Sequence, residues 1–260
     1  MNVLLIGDIV GEPGRKAVAR RLEKLVRDRS VDLVVANCEN AAGGFGVTPK
    51  IADELFFMGI DVLTTGNHVW DKREIISYIP TQPRLLRPAN LPPNVPGSGS
   101  YVFELSPTEK VGVIQIMGKV FMPLSDCPFQ TVRREVSRLR EITPNIIVDV
   151  HAEATSEKRA MGWFLDGQVT AVVGTHTHVQ TADEEILPKG TAYISDLGMT
   201  GPFQSVIGMN RDIVLRKFLD HMPQRMEVAG GPCVLSGALV SIGSDGRAGT
   251  IERIQERDDY

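Results

Sequence analysis

Five apolar runs, at residues 3–6, 32–36, 62–63, 146–150 and 169–173, lead into short clusters of polar, metal-ligating side chains. The clusters are Gly7-Asp8, Asn37-Cys38-Glu39-Asn40, Gly66-Asn67-His68, His151 and Gly174-Thr175-His176-Thr177-His178. Such short runs read as buried strands, and in an open α/β sheet the carboxyl ends of the strands converge on one crevice. Two carboxylates, two or three amides and four of the chain's five histidines would then share one small volume. Oxygen and imidazole donors in that number form the ligand set of a two-metal site.

Helical patterns separate the runs. After Pro13, the residues Val18, Leu22, Leu25 and Val26 recur at helical spacing. Thr48-Pro49 supplies an N-cap and first helical position for a helix ending near Gly59. Asp71 is expected to cap another helix through about Tyr78. This alternation predicts a parallel α/β sheet.

The pattern changes after residue 80. Residues 80–100 are rich in Pro, Gly, Asn and Ser and read as a long surface connection. A hairpin is predicted from 101–105 and 111–116, an irregular stretch at 121–129, and helices at 131–141 and 156–164. Segments 192–194, 233–242 and 250–254 predict a second, more antiparallel sheet. The charged tail after Ile254 is expected to fray. The organisation expected is one domain over 1–255 with a small cap in 80–130, its part at 117–130 over the site, and a tail at 256–260.

With 260 residues, 42% of them hydrophobic, the chain can bury a substantial core. A formal net charge of −4 argues against a surface built for long nucleic acid. Three cysteines, Cys38, Cys127 and Cys233, lack CxxC spacing, so neither a disulfide framework nor a thiolate metal site is expected. Cys38 reads as a small core residue. The N-terminus lacks a basic signal-peptide region, and no apolar stretch approaches the length of a membrane span. The expectation is a cytoplasmic globular protein without membrane contact.

Asp8 alone also reads as a turn or cap residue. Gly7, Gly11 and Gly14 loosely suggest a phosphate-cradling loop, but that fingerprint wants glycine where Ile9 stands. The aspartate would repel a pyrophosphate unless a metal lay between them, so Asp8 makes better sense as a cation ligand. A charged Glu39 after a very apolar strand is rarely buried without a partner. His151 alone reads as a core histidine; the HxH run shifts that reading, because it puts two imidazoles on one side of an extended segment. Asp149 or Glu153 would orient an imidazole from behind. His221 lies in a helical pattern and reads as surface.

The order of these motifs resembles the calcineurin-like metallophosphoesterases and, more narrowly, the YmdB family of bacterial phosphodiesterases. Gly7-Asp8-Ile9-Val10-Gly11, Asn37-Cys38-Glu39-Asn40-Ala41-Ala42, Thr65-Gly66-Asn67-His68-Val69-Trp70-Asp71, Val150-His151-Ala152-Glu153 and Gly174-Thr175-His176-Thr177-His178-Val179-Gln180 carry it. Two departures from the broad superfamily, Val10 for a histidine and Glu39 for an aspartate, are typical of the narrower family. The resemblance implies an α/β sandwich of two mixed β-sheets flanked by helices. It implies that Asp8, Glu39, Asn40 and His178 hold one cation and that Glu39, Asn67, His151 and His176 hold a second, with Glu39 bridging. Iron, manganese or zinc suits such donors, and affinity order alone does not choose among them; the resemblance favours iron or manganese.

The implied activity is hydrolysis of cyclic nucleotide phosphodiesters, 2′,3′-cyclic ones favoured, by a hydroxide bridging two cations per chain. His68 would stay free to protonate the leaving ribose oxygen. Small nucleotides, short RNA ends and further copies of the chain are the expected partners. Two rival readings stand beside this one: a metal-containing regulatory protein acting through partner binding, and a nucleotide-binding module using the loop from Gly7 to Gly14.

Overall fold

The strands at Asn2–Ile6 (β1) and Leu33–Asn37 (β3) are apolar almost throughout because both of their faces are covered. Side chains of a strand alternate between faces. Val3, Leu5, Leu33 and Val35 point one way, toward the second sheet, while Leu4, Ile6, Val34 and Ala36 point the other way, toward helices. The computed structural model describes residues 1–258.

The first sheet runs β2-β11-β12-β1-β3-β4, with β13 on the other side of β12. Its further strands are Asp8–Ile9 (β2), Val62–Thr64 (β4), Met199–Pro202 (β11), Cys233–Ile242 (β12) and Ala248–Arg257 (β13). β1, β3 and β4 are parallel, whereas β12 is antiparallel to β1, β11 and β13. The second sheet is β5-β6-β7-β8-β10-β9. It comprises Ser100–Ser106 (β5), Glu109–Met117 (β6), Ile146–His151 (β7), Ala171–Thr175 (β8), Glu185–Ile186 (β9) and Ala192–Ile194 (β10). The run from β6 through β7 and β8 to β10 is parallel.

The sheets pack face to face through a core that joins Val3, Leu5, Val35 and Val240 to Val113, Ile147 and Val173. Helices Gly11–Asp28 (α1) and Pro49–Phe57 (α2) cover the outer face of the first sheet with Val18, Leu22, Ala52 and Leu55. Helices Pro128–Arg140 (α4) and Thr155–Leu165 (α5) cover the second with Val132, Val136, Met161 and Leu165. Ile75–Tyr78 (α3) and Arg211–Asp220 (α6) are the other α-helices among the described residues. Thr48 caps α2 as expected, its hydroxyl accepting from Ile51 N–H at 3.3 Å. No helix of the described residues is long and apolar enough to cross a membrane.

Several expectations need correction. Segments 192–194, 233–242 and 250–254 do not form one separate antiparallel sheet. β10 extends the parallel run of the second sheet, while β12 and β13 form the antiparallel side of the first. The apolar alternation identified the strands but carried no information on pairing partner. The helix expected from Asp71 is a single turn that starts at Ile75, and the Asp71 carboxylate instead meets His68. Residues 80–100 are not a purely surface connection. Leu85 and Leu86 are fully buried, and the Leu63 carbonyl accepts from Leu86 N–H at 2.8 Å across the edge of β4. The tail does not fray through residue 258: β13 continues to Arg257, and Asp258 pairs with Arg20 and Arg21 at 3.0 and 2.6 Å. Asp259 and Tyr260 lie outside the described residues.

Candidate active site

β1, β3, β4, β7 and β8 end at the same edge of the sandwich, and the five clusters meet there. Seven side chains divide into two sets. In one, His151 Nε2 lies 2.9 Å from Glu39 Oε1, 3.0 Å from Asn67 Oδ1 and 3.1 Å from His176 Nδ1. In the other, His178 Nε2 lies 3.2 Å from Asn40 Oδ1 and 3.9 Å from Asp8 Oδ1. Asp8 Oδ1 is also 3.9 Å from His151 Nδ1, which puts the two sets side by side.

Backbone and neighbouring groups aim each donor. Asp8 Oδ2 accepts from His176 N–H and Glu39 Oε2 from His68 N–H, each at 3.1 Å. Asn40 gives an amide hydrogen to Gly44 O at 2.9 Å, which turns its oxygen toward His178. Gly44 can fold back there because it adopts φ +96°. Gly66 is required for a different reason: a Cβ at that position would lie 2.3 Å from the His151 ring and 2.4 Å from Glu39 Oε2.

The imidazoles are held in defined tautomers from behind. Thr175 gives its one hydroxyl hydrogen to Asp149 Oδ1 at 2.7 Å, so at 2.9 Å it accepts from His151 Nδ1–H. That leaves Nε2 of His151 facing the cluster. His176 directs Nε2 to Glu153 at 3.1 Å and His178 directs Nδ1 to the Ile207 carbonyl at 2.8 Å, which leaves their other nitrogens facing inward. Asp149 and Glu153 thus both stand behind histidines, Asp149 through the Thr175 hydroxyl. The HxH run is not extended. His176 and His178 adopt φ 99° and 65°, conformations that cost on the order of 1–3 kcal/mol each, and they send their imidazoles into different sets.

The donors suit cations. Asp8 Oδ1 is buried without a hydrogen-bond partner, an expensive arrangement unless something positive completes it. Glu39, His151 and His176 each offer a ligand atom, all within 4.8 Å of one another. Carboxylate, amide and imidazole without thiolate are the donors expected for iron, manganese or zinc.

A model of the YmdB-like protein family matches residues 4–254. The chain belongs to this family. A 2′,3′-cyclic-nucleotide 2′-phosphodiesterase of Bacillus subtilis (strain 168) is 46% identical to it, covering 100% of this chain and 98% of the relative. A hypothetical protein from Thermus thermophilus superimposes with a TM-score of 0.93 at 40% identity, covering 100% of both chains. A Mycoplasma pneumoniae protein described as a novel phosphatase gives a TM-score of 0.93 at 34% identity, covering 100% of this chain and 94% of the other. The two mixed sheets and their flanking helices are the metallophosphoesterase fold.

The electrostatics of this YmdB-like chain follow from burial first. Burial lifts Asp8 to about 6 against the pull of His178 and His151. Burial would raise Glu39 as well, but His151 and then His68 hold it down at about 2. Burial opposes charge on His151, yet Glu39, helped by Asp8 and Asp149, lifts it to about 9. His176 is pushed down to about 3 by burial and by His151. Burial, with Glu39 beside it, drives the Cys38 thiol above its ordinary range, which fits the expected core role and makes it a poor nucleophile.

A cavity of about 570 Å³ opens on Glu39, Asn40, His68, His176 and His178. Its other wall is apolar, built from Phe45, Val206, Ile207, Met209, Val214, Phe218 and Met226, with Lys217 among them. Residues 80–130, expected to supply a cap, contribute none of this lining. The sequence reading missed the wall from 206 to 226; its only signal was the helical apolar pattern of α6. His68 lies on the floor, Nδ1 held by Asp71 at 2.9 Å and its ring edge-on to Phe45 at 5.1 Å. His221 ends α6 in a left-handed conformation and is exposed, as expected of a surface residue.

Proposed function

We propose that this chain is a metal-dependent phosphodiesterase acting on cyclic nucleotide phosphodiesters, 2′,3′-cyclic nucleotides foremost. The observation that carries the reading is the orphaned, buried Asp8 Oδ1 beside two sets of oxygen and imidazole donors that face inward. The name of the Bacillus subtilis relative supports the substrate class.

Asp8, Asn40 and His178 would hold one cation and Asn67, His151 and His176 a second, with Glu39 between them; these donors suit iron, manganese or zinc, of which iron or manganese is the proposal. When bound, such cations lower the pKa of water to supply hydroxide near neutral pH and offset charge developing on the phosphoryl oxygens. The remaining work falls to the chain. Asp71 accepts from Nδ1–H of His68, which leaves Nε2 as the nitrogen that gives a proton to the leaving ribose oxygen. The apolar wall takes the base and excludes water from one side of the diester. Phe45 steadies the His68 ring.

The test is metal analysis of protein purified without chelator, followed by turnover of 2′,3′-cyclic, 3′,5′-cyclic and base-free diesters. Copurified or reloadable metal with chelator-sensitive hydrolysis is the expected result. Protein that takes up no metal, or hydrolyses diesters equally well after chelation, overturns the reading.

A further inference from the structure

We infer that the buried Lys158–Asp196 pair positions the HxH loop and Asp8 together, and so sets the geometry of the cation site formed by Asp8, Asn40 and His178. The inference rests on the metal-dependent reading above. Lys158, on α5, and Asp196, just after β10, are only 2% and 1% exposed, and Nζ lies 2.7 Å from Asp196 Oδ2. Replacing a buried ion pair by well-packed apolar residues is commonly neutral or stabilising. Stability alone therefore gives little reason for this pair, and the other bonds of Asp196 supply one.

Asp196 Oδ2 also accepts from Thr177 N–H at 3.1 Å and from the Thr177 hydroxyl at 2.8 Å. Thr177 is the residue between the two histidines whose backbones occupy left-handed conformations. Asp196 Oδ1 accepts from Gly198 N–H at 2.8 Å, and the Gly198 carbonyl accepts from Asp8 N–H at 3.1 Å. Met199 N–H returns to the His178 carbonyl at 3.1 Å. One carboxylate thus fastens the loop that carries His178 to the segment that fixes Asp8. A carboxylate meets this demand because both of its oxygens accept. An asparagine would turn an NH2 group toward Thr177 N–H or toward Gly198 N–H. Lys158 supplies the charge that such a buried carboxylate requires.

The variants Asp196→Asn, Lys158→Met and Thr177→Val, each with a near-ultraviolet circular dichroism spectrum like the parent's, are titrated with Mn²⁺ by calorimetry, and their metal-free melting temperatures are recorded separately. Removal of groups that orient metal ligands weakens binding by about 10- to 100-fold, the loss expected for Asp196→Asn and Lys158→Met. Thr177→Val, which deletes a single hydroxyl, is expected near the lower end, with Thr177→Ser restoring the parental affinity. It keeps the test decisive if either buried variant fails to fold. A pair that is only structural lowers the melting temperature and leaves Mn²⁺ affinity at the parental value. That outcome in folded Asp196→Asn or Thr177→Val overturns the inference. A parent that binds no Mn²⁺ is titrated with Fe²⁺ instead, and if it binds neither, it is the metal-dependent reading that fails.

Discussion

His151 Nε2 lies 2.9 Å from Glu39 Oε1, and both side chains are buried. Burial disfavours charge on both, yet each stabilises the other strongly enough to put His151 at about 9 and Glu39 at about 2. Metal-free protein near neutral pH therefore holds an imidazolium against a carboxylate. The proton occupies the lone pair that a cation needs, so a proton must leave as the cation enters. Cation affinity should rise with pH until about 9, by roughly tenfold per pH unit for each proton displaced. Calorimetry in two buffers of different ionisation enthalpy should register that proton. Glu39→Gln should bind metal more weakly and release fewer protons on binding, because the leading cause that raises His151 is then gone. Heats independent of buffer would contradict the pairing.

His68 contacts Glu39 through its backbone N–H, not through its ring. Among the described residues, its side chain bonds to Asp71 and packs edge-on to Phe45. His68→Ala should therefore keep the parental metal content while kcat falls by about 10²–10⁴-fold, the usual contribution of a positioned acid. Elemental analysis and steady-state kinetics on the same preparation check both halves. A variant that loses metal along with turnover would place His68 among the ligands instead.

The cluster positions were legible in the sequence because each follows a strand buried on both faces, and such strands are near-continuous apolar runs. What lay behind the clusters was not. Nothing local in Gly174-Thr175-His176 says that the Thr175 hydroxyl joins Asp149 to His151. Lys158 is buried against Asp196, a residue 38 positions away that no local pattern on α5 points to. The left-handed turns at His176 and His178 replace the expected extended run, because bonds to Asp8, Asp196 and Ile207 outweigh local preference. Strand pairing failed for the same reason: the apolar pattern of β12 is indifferent to whether it joins the first or the second sheet.

Phe218 lines the cavity but is 71% exposed, so its removal leaves the core intact. Stacking of a base on an aromatic ring is worth about 1–3 kcal/mol. Phe218→Ala should raise KM for a 2′,3′-cyclic nucleotide by roughly fivefold or more, with kcat little changed and the melting temperature unmoved. Ribose 2′,3′-cyclic phosphate, which has no base, should be hydrolysed equally by parent and variant. An equal rise in KM for both substrates would mean that the wall acts on something other than the base.

Thr175 is fully buried, and its hydroxyl bridges Asp149 and His151 Nδ1. Thr175→Val preserves its volume but strands a ring N–H and a carboxylate oxygen inside the protein. His151 is then free to adopt the other tautomer, in which Nε2 carries the hydrogen and cannot donate to a cation. Metal affinity should fall by about 10- to 100-fold, and Thr175→Ser should restore it because serine supplies the same hydroxyl. Simple loss of packing predicts the reverse order, since serine removes a methyl group that valine keeps. Titration of both variants with Mn²⁺ therefore separates the two causes, and parental affinity in Thr175→Val would show that the relay does not set the tautomer.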